Sequence, residues 1–434
     1  MSLKSSLSLI GTKRFTPILT ASALGTFNDN MFKNALIIMA TFSGLTVADL
    51  PSETVVPIAA TAFTLPLFLF SAISGQIADR YDRATLMRRA KFAEIILMLI
   101  AAAGFLLNNG WILILTLFLM GAQSAFYAPS RVSSMPHYLK PEELVAGNAL
   151  FGAVFFICLL LGQAGGQLLA AMPNGPQIVA GLLIVFAIAG FASIVPTPPS
   201  PAANPDLKIR WNFIIETGRI IYFAMQLPQV LRPLLGMAWF YLFTAGLMTL
   251  MPLLVREVMG EGAGLVTLFS VLFVIGAATG SLAVGALTKG RDAIIFTVVG
   301  GFGLLAINLY IGWQVATWVP TPEPVGAIAF AQNPDNWHLL IAFFASAVFA
   351  GLYIVPLQAM AQRRAPIEKR ARLLAAGTLL NALGASIGQL GLLALSTFAL
   401  PIWWVFVFVG VGTGLIAMAS MRYVGSPNRP YSPS

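Results

Sequence analysis

Long runs of apolar residues, broken by short polar segments, set the pattern of this chain from end to end. A helix of about 20 apolar residues crosses the hydrocarbon core of a membrane, and the runs have this length. A membrane β-barrel would show segments of about ten residues with alternating polarity instead. The pattern therefore predicts an all-α membrane protein with twelve transmembrane helices. The predicted spans are residues 15–43, 55–78, 89–107, 111–132, 149–171, 177–195, 233–255, 264–287, 293–318, 338–361, 373–397 and 401–421.

Six predicted spans lie on each side of a longer interruption, so the layout predicts two six-helix halves. We place the N-terminal half at residues 1–195, a cytoplasmic linker at 196–232, and the C-terminal half with a short cytoplasmic tail at 233–434. The linker opens with a proline-rich stretch that cannot be helical. Residues 207–229 then mix apolar and charged side chains, which indicates an amphipathic helix. Two placements of this helix stay open: on the inner leaflet of the membrane, or packed beneath the two halves.

The composition excludes a soluble globular protein. Apolar residues make up 58% of the 434 residues and charged residues only 9%, whereas soluble domains carry about 25% charged residues. In a membrane protein the position of the basic residues matters more than the net charge of +9, so we expect no nucleic-acid partner. Cys158 is the only cysteine and lies in an apolar run, which excludes disulfides and indicates a packed, inert thiol.

The basic residues predict the orientation of the chain. Of the 25 Lys and Arg residues, all but Lys33 and Arg256 fall at the termini, in the linker or in the loops that follow even-numbered spans. Basic loops stay on the cytoplasmic side. We therefore expect a multi-pass protein of the bacterial inner membrane with both termini in the cytoplasm.

A polar stretch interrupts the first predicted span. Burying an acid and a base in hydrocarbon is costly, so ionisable residues at this depth normally face a cavity and a partner. Asp29 and Lys33 are four residues apart, which places them one turn apart on one helix face where they can pair. Asn30 and Asn34 continue this polar stripe, and we count Asn28 with them as candidate substrate-binding residues. The alternatives are a buried pair that only joins helices and, for Asn28, a bond to a neighbouring helix.

A second polar motif closes the second predicted span and enters a basic loop. Gly75, Asp79, Arg80 and Arg83 match the pattern G-x-x-x-D-[RK]-x-G-[RK], with Asp82 in place of the second glycine. This resembles the signature loop of the major facilitator superfamily, which implies that fold and a gating role for these four residues. We expect Gly75 to allow close helix contact, and Asp79 to hold an arginine network that latches the cytoplasmic side. A solvated charge run that sets topology only is the alternative.

The second half carries a weaker copy of this motif at the corresponding place. Gly285 follows Gly75 by 210 residues and leads to Lys289 and Arg291. No acid stands at the position that matches Asp79, so an asymmetric latch is expected.

A narrower resemblance rests on residues 27–30, 32–34 and 78–83. Together these residues resemble the lysophospholipid transporter family of bacterial inner membranes, which includes the transporter domain of bifunctional lysophospholipid acyltransferase proteins. The resemblance implies movement of lysophospholipids, chiefly the ethanolamine and glycerol types, to the inner leaflet for re-acylation. The chain ends shortly after the last span, and His137 is followed five positions on by Glu142 rather than by Asp. We therefore expect re-acylation to come from a separate acyltransferase.

Other polar residues give weaker signals. Glu94 lies near the basic loop, where pairing with that loop is favoured over substrate contact. His137 and His338 lie at loop edges without a second metal ligand nearby, no phosphate-binding Walker loop occurs, and no nucleophile stands beside a base. We expect neither metal, cofactor nor catalytic residue, and hence no enzyme. Seven amides within spans are candidates for lining a cavity: Gln123, Gln163, Gln167, Asn308, Gln358, Asn381 and Gln389.

The sequence thus predicts a transporter that works by alternating access, with lysophospholipid as substrate and membrane lipid around it. A zwitterionic head group suits an acid and a base one turn apart, since Lys33 attracts the phosphate and Asp29 the ammonium. Two alternatives remain: a proton-coupled exporter of drugs or small organic solutes, and a non-transporting membrane scaffold for a lipid enzyme.

Overall fold

The computed structural model describes residues 9–45, 47, 50–140, 143–288, 294–320, 323–366 and 370–421. In this part of the chain twelve helices have 19 residues or more, and each coincides with one predicted span. These are α1 Thr16–Phe42, α2 Ser52–Arg80, α3 Arg83–Leu106, α4 Gly110–Tyr138, α5 Leu144–Ala170, α6 Gly175–Ile194, α8 Pro228–Leu253, α9 Ala263–Thr288, α10 Ile294–Ala316, α12 Trp337–Arg364, α13 Arg370–Gly391 and α15 Trp403–Met421. Three shorter helices are α7 Phe213–Met225, α11 Gly326–Gln332 and α14 Leu393–Thr397. The prediction of an all-helical protein with twelve long helices is confirmed.

Ten of the long helices are long and apolar enough to cross a membrane by length and composition, counting the residues that the structure describes. The other two are α1 and α3. Their shortfall comes from polar residues inside the helix, among them Asp29 and Lys33 in α1 and Lys91 and Glu94 in α3. These two helices therefore bring the charged groups into the membrane-spanning part of the first half.

Local signals fix where several helices begin and end. The side chain of Asp82 accepts a hydrogen bond from the backbone N–H of Thr85 and so caps α3. Asn109 caps α4 in the same way. Pro228 stands in the first turn of α8, where its missing N–H leaves no bond unmade. A short π-helical turn, Leu254–Val258, extends α8 towards Gly260, which has a positive φ of 71°.

Contacts divide the chain into two units: Met1–Pro51 with Ile58–Thr217, and Ser52–Pro57 with Gly218–Ser434. In the first unit α1 packs against α5 and α6, and α3 packs against α4 and α6. In the second unit α8 packs against α13 and α15, and α10 packs against α12 and α15. These four pairings occupy corresponding places in the two units, as expected of two similar six-helix halves.

Glycines bring the corresponding helix pairs together. A Cβ at Gly162 or Gly166 of α5 would overlap backbone carbonyl groups of α1, and one at Gly384 or Gly388 of α13 would overlap carbonyl groups of α8. Both pairs have the small-x-x-x-small spacing that lets two helix backbones approach closely in a membrane. The close contact is thus repeated in both units.

Parts of the predicted motifs lie outside the described residues. Lys289 and Arg291, which end the second copy of the loop motif, are among them, as is the tail beyond Met421. The amphipathic segment predicted at 207–229 contains α7.

Candidate functional site

A polar cavity of about 110 Å³ lies in the first unit, between α1, α3, α4 and α5. Its wall carries both negative and positive charge, because two acidic and two basic side chains contribute to it. The lining residues are Ser22, Gly25, Thr26, Asp29, Lys91, Glu94, Gln123, Ser124, Tyr127, Ala128, Arg131 and Phe155. Because this concentration of charge stands within helices that are otherwise apolar, we take the cavity as the candidate functional site.

Asp29 lines the cavity but is not paired with Lys33. Its Oδ2 accepts a hydrogen bond of 3.0 Å from the hydroxyl of Ser124 on α4. The ammonium of Lys33 instead donates to Oδ1 of Asn30 at 3.5 Å and lies 5.7 Å from the ring centroid of Phe63. Sharing a helix face thus brings Asp29 and Lys33 near each other, while their hydrogen-bond partners differ.

A buried ion pair forms part of the cavity wall. The ammonium of Lys91 donates to Oε2 of Glu94 at 2.6 Å, with 2% and 1% of the two side chains exposed. Gln123 on α4 also donates to this oxygen, at 3.4 Å. The other oxygen of Glu94, Oε1, is buried without a hydrogen-bond partner. The sequence predicts that Glu94 pairs with the basic loop, with which it groups Lys91; the partner is this lysine, which lies within the same helix one turn away.

Small residues make room for Lys91. A Cβ at Gly25 of α1 would overlap its ammonium group, and one at Gly190 of α6 would lie 3.7 Å from it. The ring of Tyr127 lies 5.2 Å from the ammonium, at cation–π distance. The lysine is therefore enclosed by three helices besides its own, α1, α4 and α6.

The polar groups of the cavity form one connected network. Asp29 is bonded to Ser124, whose oxygen also lies 3.3 Å from Oε1 of Gln123. The amide nitrogen of Gln123 then reaches Glu94, which holds Lys91. Because the Ser124 hydroxyl has a single proton, it can serve Asp29 or Gln123 but not both. Ser124 thus links Asp29 to Gln123, and Gln123 links to the pair of Glu94 and Lys91.

Arg131 connects this cavity to a second one of about 260 Å³. Its Nε is buried without a hydrogen-bond partner, and its guanidinium lies 5.3 Å from the ring centroid of Phe151. The second cavity is lined by Arg131, Val132, Met135, Asn148, Phe151, Gly152 and Phe155. A charged group with unused hydrogen-bonding capacity thus stands where a polar cavity meets a mainly apolar one.

The three asparagines predicted beside Asp29 are placed elsewhere. Asn28 is fully buried and donates to the carbonyl of Leu183 on α6. Asn34 donates to the carbonyl of Asn30, one turn earlier on α1, and accepts a bond from Gln167 on α5. Asn28 and Asn34 therefore join helices, and none of the three is among the residues that line the polar cavity.

The loop motif has a different acid at its centre from the one predicted. The side chain of Asp79 is 54% exposed, and its nearest ion-pair contact is Arg83 at 4.0 Å. No atom of the described residues lies within 4 Å of where a Cβ at Gly75 would stand, so the expected close helix contact is not made there. Arg80 lies over the ring of Tyr81 at 5.5 Å. Among the residues that the structure describes, the expected arginine network around Asp79 is thus reduced to this one long contact with Arg83.

Asp82, which replaces the second glycine of the motif, holds the start of the linker. Its Oδ2 accepts a hydrogen bond of 2.7 Å from the backbone N–H of Ser200, while its Oδ1 caps α3. Arg83 donates to the carbonyl of Pro201, and Arg88 donates to the carbonyls of Val195 and Thr197. We call Asp82, Arg83 and Arg88 the linker-docking site.

Partial burial by itself raises the pKa of Asp82, but the hydrogen bonds from Thr85 and Ser200 and the charge of Arg88 together bring this pKa below its usual range. Asp82 is therefore ionised at neutral pH and holds the linker as a charged acceptor.

The sequence does not single out Lys91 and Arg131 as site residues, because both stand near the ends of predicted spans and are grouped with the adjoining basic loops. The structure places Lys91 about two turns inside α3 and Arg131 inside α4. A signal was present for the first, since Lys91 and Glu94 are three residues apart in an otherwise apolar segment. Among the seven candidate amides, Gln123 lines the cavity. In the described part of the chain no three His, Cys, Asp or Glu residues are grouped to hold a metal ion.

Comparison with known families identifies the fold. The sequence profile of the Major Facilitator Superfamily matches residues 18–388. The chain belongs to this superfamily. Two solved structures share the architecture: the POT family transporter PepTSo, with a TM-score of 0.68 and 12% identity, and a D-xylose-proton symporter, with a TM-score of 0.66 and 12% identity. Each covers 94% of this chain and 97% of its own. At these identities the likeness shows the fold alone.

More similar sequences carry a narrower name. The lysophospholipid transporter LplT of Serratia proteamaculans (strain 568) is 25% identical over 354 residues, which cover 80% of this chain and 79% of that protein. The protein of the same name from Escherichia coli O157:H7 (strain EC4115 / EHEC) is 25% identical over 427 residues, covering 94% of each. The chain is thus a multi-pass membrane transporter of the major facilitator type, similar to lysophospholipid transporters.

Proposed function

We propose that this protein moves lysophospholipids across the bacterial inner membrane to the cytoplasmic leaflet. The observation that carries the proposal is the meeting of two cavities at Arg131, one polar and one mainly apolar. A lysophospholipid has the same division, since its charged head group adjoins a single hydrocarbon chain. The curated relatives named as lysophospholipid transporters support this substrate.

The charges of the polar cavity suit a zwitterionic head group such as phosphoethanolamine. Two acids face two bases, so a head group without net charge leaves the site balanced. Lys91 is already bound to Glu94, which leaves Asp29 and Arg131 for the ligand. Arg131 would bind the phosphate, because a guanidinium matches phosphate oxygens in a bidentate way, and Asp29 would accept from the ammonium. This assignment replaces Lys33 by Arg131 as the phosphate ligand.

The second cavity supplies an apolar environment for the part of the ligand beyond the phosphate. Val132, Met135, Phe151 and Phe155 line it, and Phe155 also lines the polar cavity. Apolar side chains on both sides of the junction stabilise hydrocarbon by removing it from water. The acyl chain would leave Arg131 in this direction.

The remaining parts of the mechanism follow from the superfamily and the charge pattern. Transporters of this architecture expose a central site to each side in turn. Both termini and the linker would lie in the cytoplasm, because the basic residues concentrate there. A separate acyltransferase would then consume the lysophospholipid delivered to the inner leaflet.

One observation favours a second candidate, a proton-coupled exporter of drugs or small organic solutes. The carboxylate of Asp29 is bonded to a neutral hydroxyl rather than to a lysine. A carboxylate without a bound cation takes up a proton more readily than an ion-paired one. Under this alternative, transport would require a proton gradient.

The test measures transport of labelled lysophosphatidylethanolamine by the purified protein in proteoliposomes. Arg131→Gln removes the proposed phosphate ligand. Arg89→Gln, an exposed arginine on α3 outside both cavities, is the matched control. We expect transport by the unaltered protein, at least a tenfold loss in Arg131→Gln, and an unchanged rate in Arg89→Gln.

Two further outcomes separate the candidates. Transport that persists after a protonophore collapses the proton gradient supports the lysophospholipid proposal. Complete loss with the protonophore, while vesicles stay intact, supports the proton-coupled exporter. Absence of lysophosphatidylethanolamine movement in the unaltered protein, together with uptake of a cationic dye, contradicts the proposal.

A further inference from the structure

Helix α7 of the linker has one face packed against protein. Ala224 is fully buried and belongs to an apolar cluster with residues of α8, α12 and α13. Ile220 and Phe223 are partly buried against the same cluster. With 100° between successive residues, these three side chains lie on one side of the helix. The helix is therefore fixed to the second unit by this face.

The opposite face of α7 is apolar and exposed. Ile214, Ile215, Tyr222 and Met225 have exposed fractions of 69%, 50%, 64% and 57%. With 100° between successive residues, these four side chains fall within about 100° of arc and so form one stripe along the helix. Trp211, just before the helix, is 69% exposed. An exposed apolar stripe of this size normally marks an interaction surface.

Basic residues flank this stripe. Lys208 and Arg210 precede the helix, Arg219 lies at the border of the stripe, and Arg232 follows the helix; all four are exposed. Glu216, the acidic residue within α7, lies on the other side and is ion-paired with Arg210. The surface thus combines an apolar face with a positively charged surround.

We propose that the exposed face of α7 lies in the interfacial region of the cytoplasmic leaflet and binds anionic phospholipid. The inference does not depend on the transported substrate. Helices that lie in this region have Trp, Tyr and aliphatic residues on one face and Lys or Arg beside them. The inner leaflet carries negative charge that attracts basic segments next to membrane spans. The linker begins at the end of α6 and leads into α8, both helices able to cross the membrane, so α7 is held close to the bilayer surface.

The distribution of basic residues favours lipid, rather than a protein partner, as the ligand of this face. The basic residues surround the apolar face on the segments before and after the helix as well as on it, which matches a flat, uniformly anionic surface. The same residues obey the charge rule that assigns the linker to the cytoplasm. Because the opposite face of α7 packs against helices of the second unit, the helix connects that unit to the leaflet surface.

The experiment places single cysteines in a Cys158→Ser background and labels them with an environment-sensitive fluorophore. Ile214→Cys and Tyr222→Cys report on the exposed apolar face. Ala203→Cys, an exposed position in the polar part of the linker, is the aqueous control, and Ala224→Cys on the packed face is the control for a site covered by protein. The full-length protein is placed in nanodiscs of phosphatidylglycerol or phosphatidylcholine. Quenching by spin-labelled lipid is compared with quenching by iodide.

We expect spin-labelled lipid to quench the labels at 214 and 222 at least twofold more than the label at 203, and iodide to show the reverse order. Replacing Lys208 and Arg210 by Gln should reduce lipid quenching in phosphatidylglycerol and leave it unchanged in phosphatidylcholine. Iodide quenching at 214 and 222 equal to that at 203 would place the helix in water and overturn the proposal. Protection from both quenchers, as at 224, would show that protein covers the face and would also overturn it.

Discussion

Burying Lys91 beside Glu94 removes two charges from water, and their attraction offsets this cost only while both are present. Their surroundings depend on a small residue, since the missing side chain of Gly25 provides the space that the ammonium occupies. Removing one partner leaves an uncompensated charge within the helix bundle. Replacing both by uncharged side chains of similar volume leaves no buried charge.

Glu94→Gln should therefore destabilise the protein by about 3–5 kcal/mol, and adding Lys91→Met should restore much of this loss. Thermal unfolding in detergent, arranged as a double-mutant cycle, measures the coupling between the two side chains. The more exposed pair of Arg14 and Glu143 is the control, and Glu143→Gln should give a much smaller change. Additive effects of Lys91→Met and Glu94→Gln would contradict an ion pair that stabilises the fold.

Asp29 is proposed to bind the ammonium of the head group, whereas Lys91 and Glu94 stabilise the fold. Asp29→Asn keeps an oxygen to accept the Ser124 hydroxyl but removes the charge for an ammonium. A hydrogen bond to a charged group contributes about 1.5–3 kcal/mol, so transport should fall roughly tenfold or more at normal expression. Lys33→Met, outside the cavity wall, should have a smaller effect. Equal losses in both variants would show that the head group contacts Lys33 as well.

At the scale of elements, the loop between α2 and α3 holds the beginning of the linker through Asp82. Asp82→Ala removes the cap of α3 and the acceptor for Ser200 together. Loss of a cap costs about 1 kcal/mol, which corresponds to about fivefold faster local opening. Hydrogen exchange of the backbone amides of Ser200 and of residues 202–204 should accelerate by this factor. Asp79→Ala, which removes an exposed side chain of the same loop, is the control, and equal acceleration in both variants would contradict the role of Asp82.

The lowered pKa of Asp82 fixes the pH dependence of linker docking. A group whose pKa is lower in the folded state stabilises that state above its ordinary pKa, about 3.9 for Asp, and loses this contribution as the pH falls through the lowered value. Protection of the amides of Ser200 and of residues 202–204 from exchange, corrected for intrinsic rates, should thus be constant from pH 8 to pH 5. A decrease within this range that is absent in Asp82→Ala would show that Asp82 titrates there.

At the scale of the whole molecule, the same close contact occurs in both units. Gly166 and Gly388 lie against backbone of the neighbouring helix, so a larger side chain forces the helices apart. Gly166→Val and Gly388→Val should each destabilise the protein by about 1–3 kcal/mol, as measured by thermal unfolding. Gly181→Val on α6 is the control, because nothing lies within 4 Å of its Cβ position among the described residues. Stability losses in only one unit would contradict an equivalent role in the two halves.

The sequence by itself determined the twelve helices, the repeated six-helix arrangement and the family. The physical reason is that a membrane demands helices of a given length with apolar surfaces, so hydropathy and length are sufficient to find them. It also identified Asp29 and Gln123, because polar residues inside apolar runs are visible without a structure. The amphipathic segment at 207–229 likewise contains α7.

Only the tertiary structure decided which partner each polar group has. Helix periodicity shows that Asp29 and Lys33 share a face, but the position of Ser124 on α4 determines where the carboxylate bonds. Lys91 and Arg131 stand near the ends of predicted spans, beside basic loops, and hydropathy alone does not show that they face a cavity rather than the loop. Asp82 holds the linker because its carboxylate accepts a hydrogen bond from Ser200, which is 118 residues away in the sequence. Such contacts depend on how helices pack, which the pattern of one segment does not contain.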